Sequence, residues 1–235
     1  MSLTNKNPKI LIIACNIMKE ELLAANHNRD VQIEFLEQSL HRTPTKMPAA
    51  IQEKIDKADG FDVIVLGYGS CGNGIAGVKA GKQPLIIPRA HDCITFFLGS
   101  MEAHLKQHEG NPGTYYLNKG WIDEQKDPLG VLEEYTQRYG RKTAEWVISQ
   151  EFKNYKRIAL ITTSAFDPAQ YRPRARADAE YLKLAYDEIE GSMEFFGKIA
   201  RGPWGNKEFL TLKPGEEVTP KIFLELIGCA SPPSF

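Results

Sequence analysis

The chain has 235 residues, 42% of them hydrophobic and 25% charged, with a formal net charge of -1. That is the composition of a globular protein with a full core, long enough for one large domain or two smaller lobes. A near-neutral balance without a run of Lys or Arg removes the electrostatic footprint of a nucleic-acid binder. No stretch approaches the roughly 18 consecutive apolar residues of a spanning helix, so no membrane partner is expected. The apolar stretch near the N-terminus is too short and strand-like for an export signal, so the expected location is cytoplasmic.

KILIIA (9–14) is a continuous apolar run, the pattern of a buried parallel strand, and IMKEELLAAN behind it has helical spacing. VQIEFLE is a second strand. MPAAIQEKIDKA (47–58) reads as an amphipathic helix with Pro48 in its first turn. FDVIVLG and PLIIPRA (84–90) supply the third and fourth strands, and CITFFLGSMEAHLKQH reads as one long helix. Strand and helix thus alternate through the first hundred or so residues, the signature of a parallel α/β sheet.

The middle is less regular. TYYLNKGWID lies between Asn111-Pro112-Gly113 and Asp127-Pro128 and reads as a short strand or loop, and residues 129–152 read as two helices broken at Gly140. RIALITT (157–163) restores strand character, followed by a helix ARADAEYLKLA, a strand YDEIEG, a helix SMEFFGKIARG and a strand EFLTLKP. The fold expected is α/β, an open mostly parallel sheet with helices on both faces and a second smaller α/β part. Its expected division is 8–110, a helical or irregular connection 111–156, and 157–226.

In such a sheet ligands collect at the carboxyl ends of the strands. Cys15 directly follows the first strand, Cys71 lies four residues past Gly67 at the end of the third, and Cys93 follows the fourth. Three thiols from three strands therefore end on one expected edge. Without an export signal a disulfide framework is not expected, which leaves a soft or borderline metal, or nucleophilic and acid/base chemistry, as uses for converging thiols. His91, two residues before Cys93, adds an imidazole, so zinc or an iron-sulfur cluster is the cofactor this set suits. None of the ligands is paired as Cys-x-x-Cys, so the inference rests on topology. Cys15 read alone is a small core residue; Cys229 lies in a tail and reads as incidental.

The stretch GYGSCGNG (67–74) carries a second reading. Gly67-x-Gly69-x-x-Gly72 follows a strand and Asp92 falls 20 residues beyond Gly72, a partial dinucleotide fingerprint, although the loop follows the third strand and only a short helix, IAGVKAG, is offered behind it. Gly69, Ser70 and Gly72, with Arg89 beyond the fourth strand, could then hold an anionic small molecule. Tyr115, Tyr116 and Trp121 could line a pocket, though aromatics in such a stretch more often pack in a core. Arg172, Arg174 and Arg176 could close over an anion, though spaced arginines usually lie on a solvated face. Ser70 lacks the Gly-x-Ser-x-Gly frame of a hydrolase nucleophile, because Tyr68 holds the first glycine position.

Through LGYGSCGNG, PRAHDCITFFLGS and GTYYLNKGWID the chain resembles the prokaryotic domain-of-unknown-function family numbered 1638, from about Lys9 to EFLTLKPGE. The resemblance implies a setting in methanogens and other anaerobes, near corrinoid-dependent methyl transfer, and marks Cys71, His91, Asp92, Cys93, Tyr115, Tyr116, Gly120 and Trp121. It brings no substrate. Three readings stand: an enzyme or metal-dependent protein using Cys15, Cys71, Cys93 and His91; a metal-free thiol enzyme of racemase type, with Cys71 and Cys93 on opposite sides of a small substrate; and an anion-binding module built on the glycine loop and Arg89, the catalytic candidates being Cys71, Cys93, His91 and Asp92. A small-molecule substrate is common to all three, and a homo-oligomer is compatible with each.

Overall fold

The computed structural model describes residues 8–27, 29–71, 73–205, 207–219 and 222, leaving out the side chains of Arg42 and Pro44. Gly72 and Cys229 therefore lie outside the described residues. The chain divides into two units, Met1–Phe96 with Glu194–Phe235, and Phe97–Met193.

The first unit begins with β1 (Ile10–Cys15), a 3-10 turn (Asn16–Met18), α1 (Lys19–Ala25) and β2 (Val31–Leu36). Two 3-10 turns (Gln38–Arg42 and Pro44–Lys46) lead into α2 (Met47–Lys57), followed by β3 (Val63–Gly67) and β4 (Leu85–Pro88). The short α3 (Ile94–Leu98) straddles the division between units. In the second unit come α4 (Met101–Gly110), β5 (Thr114–Leu117), α5 (Lys119–Asp123), α6 (Pro128–Tyr139), α7 (Arg141–Glu151), β6 (Arg157–Thr162), α8 (Arg172–Leu182) and β7 (Ala185–Glu190). The chain then returns to the first unit with α9 (Glu194–Arg201) and β8 (Phe209–Leu212).

The larger sheet has the order β2-β1-β3-β4-β8. Its pairs are parallel except for β4 with β8, where Leu85 faces Leu212 and Pro88 faces Phe209. β1, β3 and β4 are buried at every position, which is why they are written as unbroken apolar runs. α2 buries Met47, Ile51 and Ile55, one stripe at four-residue spacing, with Pro48 in the first turn, where its missing N–H costs no bond. α9 buries Phe195, Phe196, Ile199 and Ala200 and packs with α1 and on β3.

The strand order decides where a ligand would sit. From β1 the chain moves outward to β2, then crosses back over β1 to β3, and right-handed crossovers then put α1 and α2 on opposite faces. The direction of winding reverses between β1 and β3. In open α/β sheets the crevice at the carboxyl ends beside such a reversal is the usual binding place.

The smaller sheet is parallel throughout, in the order β5-β6-β7. One side of its core gathers Leu117, Ile158, Leu160, Ala175 and Ala179; α6 and α7 close around Val131, Leu132, Ala144, Ile148 and Phe152.

Three sequence expectations change. The long helix from Cys93 is two helices, because Gly99 has φ +89, and a Cβ there would lie 2.6 Å from the Ser192 Cβ. Ser100 restarts the helix, its Oγ accepting from the Ala103 N–H at 3.0 Å. EFLTLKP, expected in the smaller part, instead closes the larger sheet as its antiparallel edge. The boundaries 8–110, 111–156 and 157–226 accordingly give way to a continuous unit, Phe97–Met193, flanked on both sides by the other.

Candidate functional site

Small residues bring the strand ends of the first unit together. Gly67 ends β3 opposite Ala14 of β1, and a Cβ on it would lie 2.5 Å from the Ala14 Cβ, so only glycine permits this approach. Gly69 does the same for the next pair of loops. A Cβ there would stand 2.8 Å from the Ala90 carbonyl oxygen and the Asp92 Cα, and 2.9 Å from the Asp92 nitrogen. The Ser70 N–H then donates to the Ala90 carbonyl at 2.8 Å and the Cys71 N–H to the His91 carbonyl at 2.9 Å. The loop after β3 is thereby laced to the loop after β4, and Cys71 is fixed beside His91–Cys93.

Cys15, Cys71 and Cys93 are all free thiols, Cys15 and Cys93 buried and Cys71 half-buried. Their electrostatics show that they share one environment. Although Cys71 is half-buried as a residue, desolvation is the main cause that raises its thiol far above the ordinary value, followed by Asp92 and Cys15. The N–H groups of Gly69 and Cys93 donate to its sulfur and oppose the rise. Cys93 is raised by burial first, then by Cys71, Asp92 and Cys15, and its own N–H also faces its sulfur. One amide, that of Cys93, thus addresses two sulfurs. The thiols of Cys71 and Cys93 are thereby held protonated.

Two further residues belong to this edge. Tyr68, directly after β3, is 1% exposed, and burial followed by Cys15, Cys71 and Cys93 pushes its phenol far up, so it stays neutral. Its hydroxyl is buried without a hydrogen-bond partner among the described residues. His41, from the turn after β2, has its ring centroid 6.3 Å from that of Tyr68, and its Nε2 is likewise buried without a partner. Burial lowers the His41 imidazole and Asp92 partly restores it. Asp92 also caps the turn into α3, its Oδ1 accepting from the Ile94 N–H at 3.0 Å. The sequence reading missed both Tyr68 and His41. The rule that located the cysteines applies equally to the end of β2, where it points at His41.

The remaining expected site residues divide. His91 is exposed, and its place in the cluster is that of a backbone acceptor for Cys71. Arg89 is half-buried, its N–H donating to the Glu208 carbonyl at 2.7 Å. The amides of Ser70 and Cys71 are spent on the neighbouring loop, and residues 73–77 form turns rather than a helix, so two supports of a phosphate cradle are missing here. Tyr115, Tyr116 and Trp121 belong to the second unit. Tyr115 packs edge-on against Phe152 and Tyr155 at 4.9 and 5.3 Å, Tyr116 meets His104 edge-on at 6.4 Å, and Trp121 packs on the core that includes Leu117. The arginines of α8 pair inside the same unit: Arg172 with Glu188 at 2.9 Å, Arg174 with Asp127 at 2.6 Å, and Arg176 with Glu188 at 3.7 Å.

Thiols and an imidazole are donor types that zinc and iron-sulfur clusters take, but among the described residues no group of three His, Cys, Asp or Glu side chains is placed to hold a metal ion. No described helix is long and apolar enough to cross a membrane.

Fold and site together define a mostly parallel α/β protein with a thiol cluster beside the winding reversal of its larger sheet. The chain belongs to the family described as protein of unknown function (DUF1638), which it matches over residues 35–200. That span holds His41, Tyr68, Cys71, Asp92 and Cys93. No curated protein and no solved structure matches the chain.

Proposed function

We propose that Cys15, Cys71 and Cys93 form the donor set for a thiophilic metal, zinc or an iron-sulfur cluster, in a metal-dependent protein acting on a small molecule. The supporting observation is the mutual electrostatic influence of the cysteines and Asp92 at the winding reversal. Thiols that burial and like charges hold protonated ionise readily only when a cation takes the place of their protons, so metal binding and proton release are linked. Zinc held by three thiolates would keep one position open and supply Lewis-acid chemistry. The chain's own part is to hold the sulfurs at the ends of three neighbouring strands, with the loops after β3 and β4 laced together, and to keep the place dry through Tyr68 and the apolar strand ends. The anaerobic one-carbon setting implied by the family resemblance belongs with this proposal.

Elemental analysis of protein purified without oxygen tests it. Bound zinc or iron that is lost in Cys71→Ala, with the fold retained, supports the reading; no metal in the wild type sinks it. The side-chain spacing favours a second reading, a metal-free enzyme in which the protonated thiols of Cys71 and Cys93 act as acids toward substrate. Solvent-deuterium incorporation into a substrate by metal-free protein would select that reading.

A further inference from the structure

We infer that a cavity in the second unit, lined from α5 and the turn after it, from α6 and from the first turns of α7 and α8, is a binding site for a small monocarboxylate with an apolar body. Its volume of about 620 Å³ is that of a small-molecule site. The whole site lies within that unit, so the inference does not depend on the metal reading.

The lining complements both halves of such a ligand. Ile122, Leu129 and Leu132 give an apolar surface, and Arg174 and Arg141 give positive charge. Arg174 is anchored through Nε, which donates to Oδ2 of the buried Asp127 at 2.6 Å, while its two terminal nitrogens make no hydrogen bond among the described residues. Arg141 repeats the pattern, its Nε donating to Glu145 Oε1 at 2.6 Å. A guanidinium held in this way keeps two parallel terminal donors, the fork that takes a carboxylate bidentately. Glu133, the acidic side chain of the lining, disfavours a second negative charge on the ligand.

The backbone supplies an observation independent of these charges. Gln125 lines the cavity and has φ 53, in the left-handed region. Its N–H donates to the Ile122 carbonyl at 3.0 Å and the Lys126 N–H to the Trp121 carbonyl at 2.8 Å, the paired bonds of a helix end closed by a left-handed residue, ordinarily glycine. Gly130 inside α6 gives way to the Gln125 carbonyl, which a Cβ there would strike. Glycine at 125 would close α5 at less cost, so the glutamine side chain answers a need of the cavity rather than of the turn.

Titrating isocaproate into protein with labelled Ile and Leu methyl groups tests the site by NMR. The resonances of Ile122, Leu129 and Leu132 should shift with a dissociation constant in the roughly millimolar range of so small a ligand. Isocaproamide, the same shape without the charge, should bind at least ~10-fold more weakly. Gln125→Gly should melt no lower than wild type yet bind isocaproate several-fold more weakly, whereas a residue serving only the turn would leave binding unchanged. Arg174→Lys keeps a charge beside Asp127 but loses the fork, and should weaken binding by roughly 10-fold; should that chain not fold, the amide and Gln125→Gly decide the matter alone. Isocaproate that shifts none of these methyl groups at roughly tenfold higher concentration, binds no better than its amide, or binds the folded variants as it binds wild type overturns the inference. Inorganic phosphate shifting the same methyl groups as tightly would also overturn it, since a plain anion site has no use for the apolar lining.

Discussion

Replacing Gly69 with alanine tests the lacing on which the cluster depends. The φ of Gly69 is not in the left-handed region, so the cost is steric. The new methyl would stand 2.8 Å from the Ala90 oxygen and the Asp92 Cα, short of the 3.4 Å at which ordinary contact begins, and both are backbone atoms that cannot swing aside. The loops must separate, which strains or breaks the bonds from Ser70 to Ala90 and from Cys71 to His91, at 2.8 and 2.9 Å. Two hydrogen bonds at about 1 kcal/mol each and overpacking at about 1–3 kcal/mol set the loss. Against this stands a gain of about 0.4–1 kcal/mol from a stiffer unfolded chain, leaving a net destabilisation of roughly 2–4 kcal/mol. Urea unfolding at unchanged slope measures it, and hydrogen exchange at the Ser70 and Cys71 amides shows whether the lacing has opened. Gly110→Ala, with open space around it at the end of α4, is the control and should be neutral or stabilising by up to about 1 kcal/mol. A Gly69→Ala chain as stable as wild type, with both amides still protected, would refute the reasoning.

The second unit offers two further tests. Asp178 is buried next to Asp127, and burial first, then that carboxylate, pushes its pKa from 3.8 to about 8. The proton favours the folded state, so this contribution is complete below the ordinary carboxylate value and is lost as pH rises through about 8. At about 1.4 kcal/mol per pKa unit the effect reaches several kcal/mol. Asp178→Asn keeps an acceptor for the Leu129 N–H, now at 2.9 Å, and in urea unfolding should come nearest to wild type near pH 3 and gain on it progressively up to about pH 8; parallel pH profiles would contradict this. Asn118 is fully buried and caps α5 by accepting from the Trp121 N–H at 3.1 Å. Asn118→Ala should cost about 1–2 kcal/mol and change the Trp121 fluorescence, whereas a silent substitution would show that the cap contributes nothing.

The strands of the larger sheet and the edge carrying Cys15, Cys71 and Cys93 were legible because buried parallel strands are written as apolar runs, and residues just after neighbouring parallel strands lie along one edge of the sheet. The partner of EFLTLKP was not legible. Nothing local in a four-residue edge strand tells which sheet it joins, and β4 lies far back in the chain. The break at Gly99-Ser100 did leave a signal, a glycine followed by a capping serine, that helical periodicity on either side masked. Gly67 and Gly69 suggested a nucleotide loop by spacing, yet their reason is close approach of backbone to Ala14 and to Ala90–Asp92, which becomes visible only once the strands are placed. His41 lies in a polar stretch after an edge strand, and its burial arises from tertiary packing that no pattern in EQSLHR encodes.

The central claim, that Cys15, Cys71 and Cys93 are one donor set, is tested most directly by X-ray absorption at the edge of the metal bound to anaerobically prepared protein. The account predicts a first shell containing three sulfur scatterers from the protein, falling by one in each single Cys→Ser variant. A shell of nitrogen and oxygen alone, or one unchanged by all three substitutions, would contradict it.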